Sequence, residues 1–203
     1  MVIYNPIQLS EENDICILVK EVYTSSLERY DFFHFACPLF WPPKNELLRP
    51  YYVWVKWKQA AGHNQDGLGL SYGYTDAIAS CRLHLFAFGE TRLLNFPLSD
   101  LDFPAKILGC IWIIDSVELF GEHKDPEFLS NLKNAGAIVW TRKQNLAFLF
   151  AVTKCSISKI SAQAIREIFA LEPEFPIILC PEGLDADNVS LILTTLVKHI
   201  NTQ

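Results

Sequence analysis

Two apolar runs in the chain end in residues that could do chemistry. The first, Ile107–Asp115, closes on Asp115; the second, 146–153, closes on Thr153 and is followed by Lys154, Cys155 and Ser156. Each run is almost unbroken in apolar residues, as strands buried on both faces are. Between them, Asp125 and Pro126 mark a helix start and Gly136 a helix stop. Strand, helix, strand in that order implies parallel pairing. In parallel sheets ligands bind beyond the carboxyl ends of the strands. A site is therefore expected around Asp115, Thr153 and Lys154, with the 90–106 segment beside it.

The chemistry open to these residues is narrow. Asp115 could ligate a metal, but a strand-end aspartate more commonly caps the next turn, and that reading is preferred. Cys155 is the best-placed thiol for a nucleophile, yet no histidine is assigned to it, and a reactive cysteine needs exposure and activation. His34-Phe-Ala-Cys37 offers two metal ligands, too few for a site, and His63, His84 and His123 lie far away in sequence. No metal, cofactor or catalytic residue is assigned. Trp41, Tyr52, Trp54 and Trp57 could line a pocket, although aromatics in such numbers more often serve packing and partner surfaces.

Other elements must position these strand ends. Asp14 to Val19 reads as a short buried strand. Residues 24–35 read as a helix with caps among Thr24, Ser25 and Ser26. Four prolines within 37–50 exclude a long regular element there. Residues 51–58 alternate: Tyr51, Val53, Val55 and Trp57 share one face, and Tyr52, Trp54, Lys56 and Lys58 the other. The lysines suit an edge strand. Residues 60–73 are glycine-rich and read as a loop, beyond which Leu70, Tyr72 and Tyr74 could extend a strand. Arg82 to Phe88 is the next strand, and 90–106 is irregular. Ser161 caps a helix carrying Ile165, Ile168 and Phe169 and stopped by Pro173. Residues 175–180 form the last strand. Asp187 then caps a helix whose Val189, Ile192, Leu193, Leu196, Val197 and Ile200 make one apolar stripe. The pattern predicts one α/β domain over residues 1–203. It has three layers and a mostly parallel six-stranded sheet, with 51–58 as an antiparallel edge strand beside 82–88.

Composition narrows the partners. Half of the 203 residues are hydrophobic and mean hydropathy is +0.16. No apolar run approaches the roughly 20 residues of a membrane helix, so no integral membrane segment is expected. Net charge is −6, which argues against nucleic acid. Asn5, Pro6, Glu11, Glu12 and Asp14 are unlike a signal peptide. The six cysteines include no Cys-x-x-Cys pair. Cys16, Cys110 and Cys180 lie inside apolar runs, which suits reduced core thiols and a cytoplasmic location.

Several of these segments resemble one family. Arg82-Leu-His-Leu-Phe86 resembles the strand entering switch II of Ras-like small GTPases, in particular the bacterial Arf-like, MglA-type branch. Leu108 to Ser116 resembles that family's next core strand. Phe150-Ala-Val-Thr-Lys154 resembles the strand ending in its guanine-reading Asn-Lys-x-Asp motif. The segments from Ile165 to Leu171 and from Phe175 to Cys180 follow its C-terminal order. The resemblance covers roughly residues 82–200 and implies a P-loop-GTPase-like topology. It also implies vestigial nucleotide positions at Gly89, Asp115, Thr153 and Lys154.

The departures fall at the nucleotide contacts. A P-loop uses glycines to wrap phosphates with backbone amides, plus a lysine and a Ser/Thr. The chain from Lys20 to Arg29 contains no glycine and carries Glu21 and Glu28. Thr24, Ser25 and Ser26 are a poor substitute as an anion nest. After Gly89 no glutamine stands ready to orient water. Thr153 occupies the asparagine position of the base-reading motif, and Ser156 the position of its aspartate. The expected function is a non-catalytic pseudo-GTPase that binds or scaffolds proteins through Phe40, Trp41, Tyr52, Trp54, Lys56 and Lys58. The resemblance implies a Roadblock-type protein, a related GTPase or a second copy of the chain as partner. The alternative is a nucleotide-dependent switch or an enzyme with a non-standard site near Asp115 and Lys154.

Overall fold

The computed structural model describes residues 14–22, 26–37, 51–55, 68–78, 81–88, 106–120 and 146–202. Seven strands are present among them: β1 (Asp14–Val22), β2 (Tyr51–Val55), β3 (Leu68–Ile78), β4 (Cys81–Phe88), β5 (Ile107–Asp115), β6 (Ala147–Thr153) and β7 (Ile177–Cys180). The helices are α1 (Ser26–Ala36), α2 (Ser116–Phe120), α3 (Cys155–Ser158), α4 (Ala162–Phe169) and α5 (Ala186–Ile200). The strands form one sheet in the order β2-β3-β4-β1-β5-β6-β7. From β4 to β7 every pairing is parallel. Antiparallel pairing is confined to one edge, where β3 runs against both β2 and β4.

The expected α/β fold with a mostly parallel sheet is present, and Tyr51–Val55 is its edge. One strand was anticipated only as a possible extension through Leu70, Tyr72 and Tyr74, and its place in the sheet was not. Leu68–Ile78 lies between that edge and β4, so the sheet has seven strands rather than six, and β2 pairs with β3 instead of with 82–88. The glycines that made 60–73 read as a loop have a packing cause at one position. A Cβ on Gly73 would lie 2.8 Å from Cys37 Sγ and 3.0 Å from Phe33 Cδ1. The end of α1 sits that close to β3, and only glycine admits it.

Both faces of the sheet are covered, because the strand residues alternate between two apolar layers. Ile15, Ile17 and Val19 of β1 join Leu83, Leu85, Ile111 and Ile113 under Phe32 and Phe33 of α1 and the apolar stripe of α5. Cys16 and Leu18 join Phe86, Trp112, Ile114 and Phe150 under Ile165 and Phe169 of α4. Every residue of β6 is buried, which accounts for its continuous apolar run.

Of the two helix caps expected on α4 and α5, one is in place. Ser161 Oγ accepts a hydrogen bond from Ala164 N at 3.2 Å and opens α4. The cap of α5 is Asp185, not Asp187. Its Oδ1 accepts from Asn188 N at 2.7 Å, and Asp187 falls inside the first turn, where its charge complements the helix dipole. The helix expected over 125–136 lies outside the described residues. So do Gly89, Phe40, Trp41, Lys56 and Lys58. Among the described residues no helix is long and apolar enough to cross a membrane.

Candidate functional site

Parallel register brings the two chemical strand ends together. Asp115 of β5 is paired with Thr153 of β6, and Thr153 with Cys180 of β7. Asp115 is only 1% exposed. A buried carboxylate needs hydrogen bonds and a counter-charge, and this one has both. Its Oδ1 accepts from Val117 N at 2.8 Å and Glu118 N at 3.2 Å, which caps α2. Its Oδ2 accepts from Lys154 Nζ. The capping role preferred from the sequence is thus the observed one.

Lys154 reaches Asp115 from an unusual backbone. It has φ 56° and ψ 31°, the left-handed region that costs an L-residue about 1–2 kcal/mol. This conformation turns the chain from β6 into α3. The ammonium is not sealed: the Lys154 side chain is 33% exposed, against 1% for Asp115. Its positive charge also acts on Asp31 of α1. Partial desolvation raises that carboxyl group's pKa, while His34 and Lys154 pull it down.

Hydroxyls complete the cluster. Ser116 Oγ donates to the Thr153 carbonyl at 2.6 Å, and Ser158 Oγ donates to Ser116 Oγ at 2.8 Å. Thr153 Oγ1 donates to the Ile114 carbonyl at 3.4 Å. Ser156 gives both its hydroxyl, at 2.7 Å, and its backbone N–H, at 3.1 Å, to the Pro181 carbonyl. Ser116 and Ser158 were missed in the sequence because a serine beyond an apolar run looks like any turn serine. Only the closeness of α2 and α3 makes them partners.

The thiol reading fails on geometry. Cys155 Sγ donates to the Val152 carbonyl at 2.9 Å, and burial pushes the thiol pKa up, so the thiolate a nucleophile needs is disfavoured. His34 is exposed while Cys37 is buried, so the two do not converge on a metal. No group of three or more potential metal ligands occurs among the described residues.

The structure therefore brings Asp115, Thr153 and Lys154 into one cluster and adds Ser116, Ser156 and Ser158. What this cluster does chemically is internal: a cation on a buried anion, and hydroxyls on carbonyls, holding the turns after β5 and β6. Set against protein-family models and against curated proteins, the sequence gives no match.

Proposed function

We propose that this chain is a non-catalytic pseudo-GTPase, a small-GTPase-like domain that works by binding another protein. The observation that carries the reading is the tie between Lys154 and Asp115 at the strand carboxyl ends. In a domain of the resembled kind the lysine of the base-reading motif serves the nucleotide; here Lys154 engages the Asp115 carboxylate instead. The serine at the base-reading position supports the same reading, since it is spent on the Pro181 carbonyl. So does the phosphate side. Only three residues, Tyr23, Thr24 and Ser25, separate the end of β1 from the start of α1, none of them glycine. A stretch without glycine is ill-suited to wrapping phosphates with its backbone amides.

The partner-facing surface in this proposal is the β2 edge with its flanking residues, Phe40, Trp41, Tyr52, Trp54, Lys56 and Lys58. β2 has one neighbour in the described sheet, β3, and sheet edges are natural sites of strand-to-strand association. A Roadblock-type protein, a related GTPase or a second copy of the chain fits that role.

Thermal unfolding with GTP, GDP or ATP plus magnesium tests the proposal. A ligand present at a hundred times its dissociation constant adds about 2.7 kcal/mol, worth roughly 5–11 °C in a domain of this size. The expected shift is none. A second reading, a nucleotide-dependent switch with a non-standard site at Asp115 and Lys154, draws on the partly exposed ammonium of Lys154 in its left-handed backbone. It requires a clear rise in melting temperature that Lys154→Met removes, and that result would overturn the first.

A further inference from the structure

At the end of the sheet away from Lys154, ionisable side chains are buried across three neighbouring strands. Asp14 opens β1, and His84 of β4 is paired with Cys16 on one side and Tyr74 on the other. The His84 Nδ1 atom lies 2.8 Å from the Tyr72 hydroxyl of β3. Its Nε2 atom lies 3.5 Å from Asp14 Oδ2, with both side chains only 4% exposed. Tyr72 and Tyr74 stack on the imidazole at 6.1 Å and 6.2 Å between ring centroids. Neither oxygen of Asp14 accepts a hydrogen bond within the usual limits among the described residues. A carboxylate sealed so completely must be neutral or be matched by a positive charge.

We propose that Asp14, His84 and Tyr72 form a proton-operated latch that ties the edge strands β3 and β2 to the parallel sheet. In the closed state His84 is an imidazolium. Its Nε2–H faces the Asp14 carboxylate and its Nδ1–H is donated to the Tyr72 oxygen. When the imidazolium releases one proton to solvent, Nε2–H stays on Asp14 and the Tyr72 hydroxyl turns to donate to Nδ1. The 2.8 Å contact survives, but the buried carboxylate has lost its counter-charge, and the bridge from β1 through β4 to β3 weakens.

Cys16, Tyr72 and Tyr74, the described groups set against the ring, do not replace that charge. From β1, the Cys16 thiol is pushed up to about 12 by burial and by the Asp14 carboxylate, so it stays neutral. From β3, burial raises the Tyr72 phenol, which stays neutral too. Tyr74 is occupied by the Arg82 guanidinium of β4, 5.6 Å over its ring. The Asp14 carboxylate, 3.5 Å from Nε2, favours a second proton on the ring. Because the closed state holds the proton more tightly than the unfolded chain, its stabilisation is complete below the ordinary histidine value of about 6.5. It is lost as pH rises through the higher midpoint of the folded protein.

The test is an NMR titration of the His84 imidazole in the full chain and in Asp14→Asn, with amide exchange of β3 followed against that of β6. The latch predicts a His84 midpoint above about 6.5 that falls in Asp14→Asn. It also predicts β3 exchange that quickens relative to β6 as pH passes the midpoint. A midpoint at or below the ordinary value, or one unmoved by Asp14→Asn, overturns the charged pair. Parallel exchange of β3 and β6 through the midpoint overturns the latch. Should Asp14→Asn fail to fold, the wild-type midpoint and exchange profiles decide alone.

Discussion

Replacing Leu196 by alanine should cost the fold about 3–5 kcal/mol, the upper part of the range for buried leucines. Leu196 is 0% exposed in the middle of α5. Its Cδ2 atom sits where a Cβ on Gly109 would be only 3.0 Å away, and Ile200 Cδ1 is equally close to that point. The sheet therefore offers no side chain at position 109 to settle into the space that alanine would leave. A cavity that cannot collapse retains most of its penalty, about 24 cal/mol for each cubic ångström. Urea unfolding should show a lower midpoint with an unchanged slope, and melting should fall by roughly 6–20 °C. The same geometry makes a second demand. Gly109→Ala alone should destabilise by crowding Leu196, and in the Leu196→Ala background it should be tolerated or should restore stability. A Leu196→Ala loss under about 0.5 kcal/mol would show the stripe to be loosely packed. Strict additivity of the two changes would show that Gly109 and Leu196 do not share the space assigned to them.

Three further outcomes are expected. Lys154→Met should destabilise more than Asp115→Ala: the first leaves a buried carboxylate without its cation, while the second leaves a lysine with a third of its surface in water. The reverse order in urea unfolding would mean that the α2 cap, not the ion pair, dominates. Trp54→Glu, at the edge-strand position opposite Gly69, should leave the monomer folded and weaken association in sedimentation or pull-down experiments. Unfolding, or unchanged association of a folded variant, would remove this edge from the partner surface. Burial pushes the Cys16 and Cys37 thiols up to about 12 from an ordinary value near 9. The folded state thus keeps protons that the unfolded chain releases, so stability should fall as pH rises from about 9 toward 12, by up to about 1.4 kcal/mol per pH unit for each thiol. Both thiols should resist a thiol reagent at pH 8 until the protein unfolds, and prompt labelling would contradict their burial.

The parts of the fold legible in the sequence are those where one residue pattern has one structural solution. The unbroken apolar runs of β5 and β6 require cover on both faces, and the stripe of α5 matches no period but a helical one. Strand β3 was only half legible because its Gly73 answers to the side chains of α1, Phe33 and Cys37, a contact between segments far apart in sequence. The cap of α5 was misplaced by two residues because Asp185 and Asp187 are equally good caps on paper, and backbone geometry chooses between them. At the candidate site, Asp115 and Lys154 could be read as strand-end residues, but not as partners. Their pairing depends on register across β5 and β6 and on the left-handed turn at Lys154. The triad of Asp14, His84 and Tyr72 left a fainter trace: polar residues in three separate strands, whose meeting depends on a strand order the sequence does not state.

That strand order has a consequence for how the chain can be divided. The first four strands in sequence, β1 to β4, occupy one contiguous half of the sheet, and β5 to β7 occupy the other. No strand of either half lies inside the other. A cut between residues 88 and 107 therefore severs the sheet along a single seam, the parallel ladder from Cys16–Val22 to Ile107–Ile114, with α1 meeting α5 across one face of it. The molecule is built as two interlocking fragments joined by one backbone crossing. Each fragment carries an apolar strand, β1 or β5, with one edge left open for the other to pair with. Expressed separately, the two should be insoluble alone and complement one another when mixed.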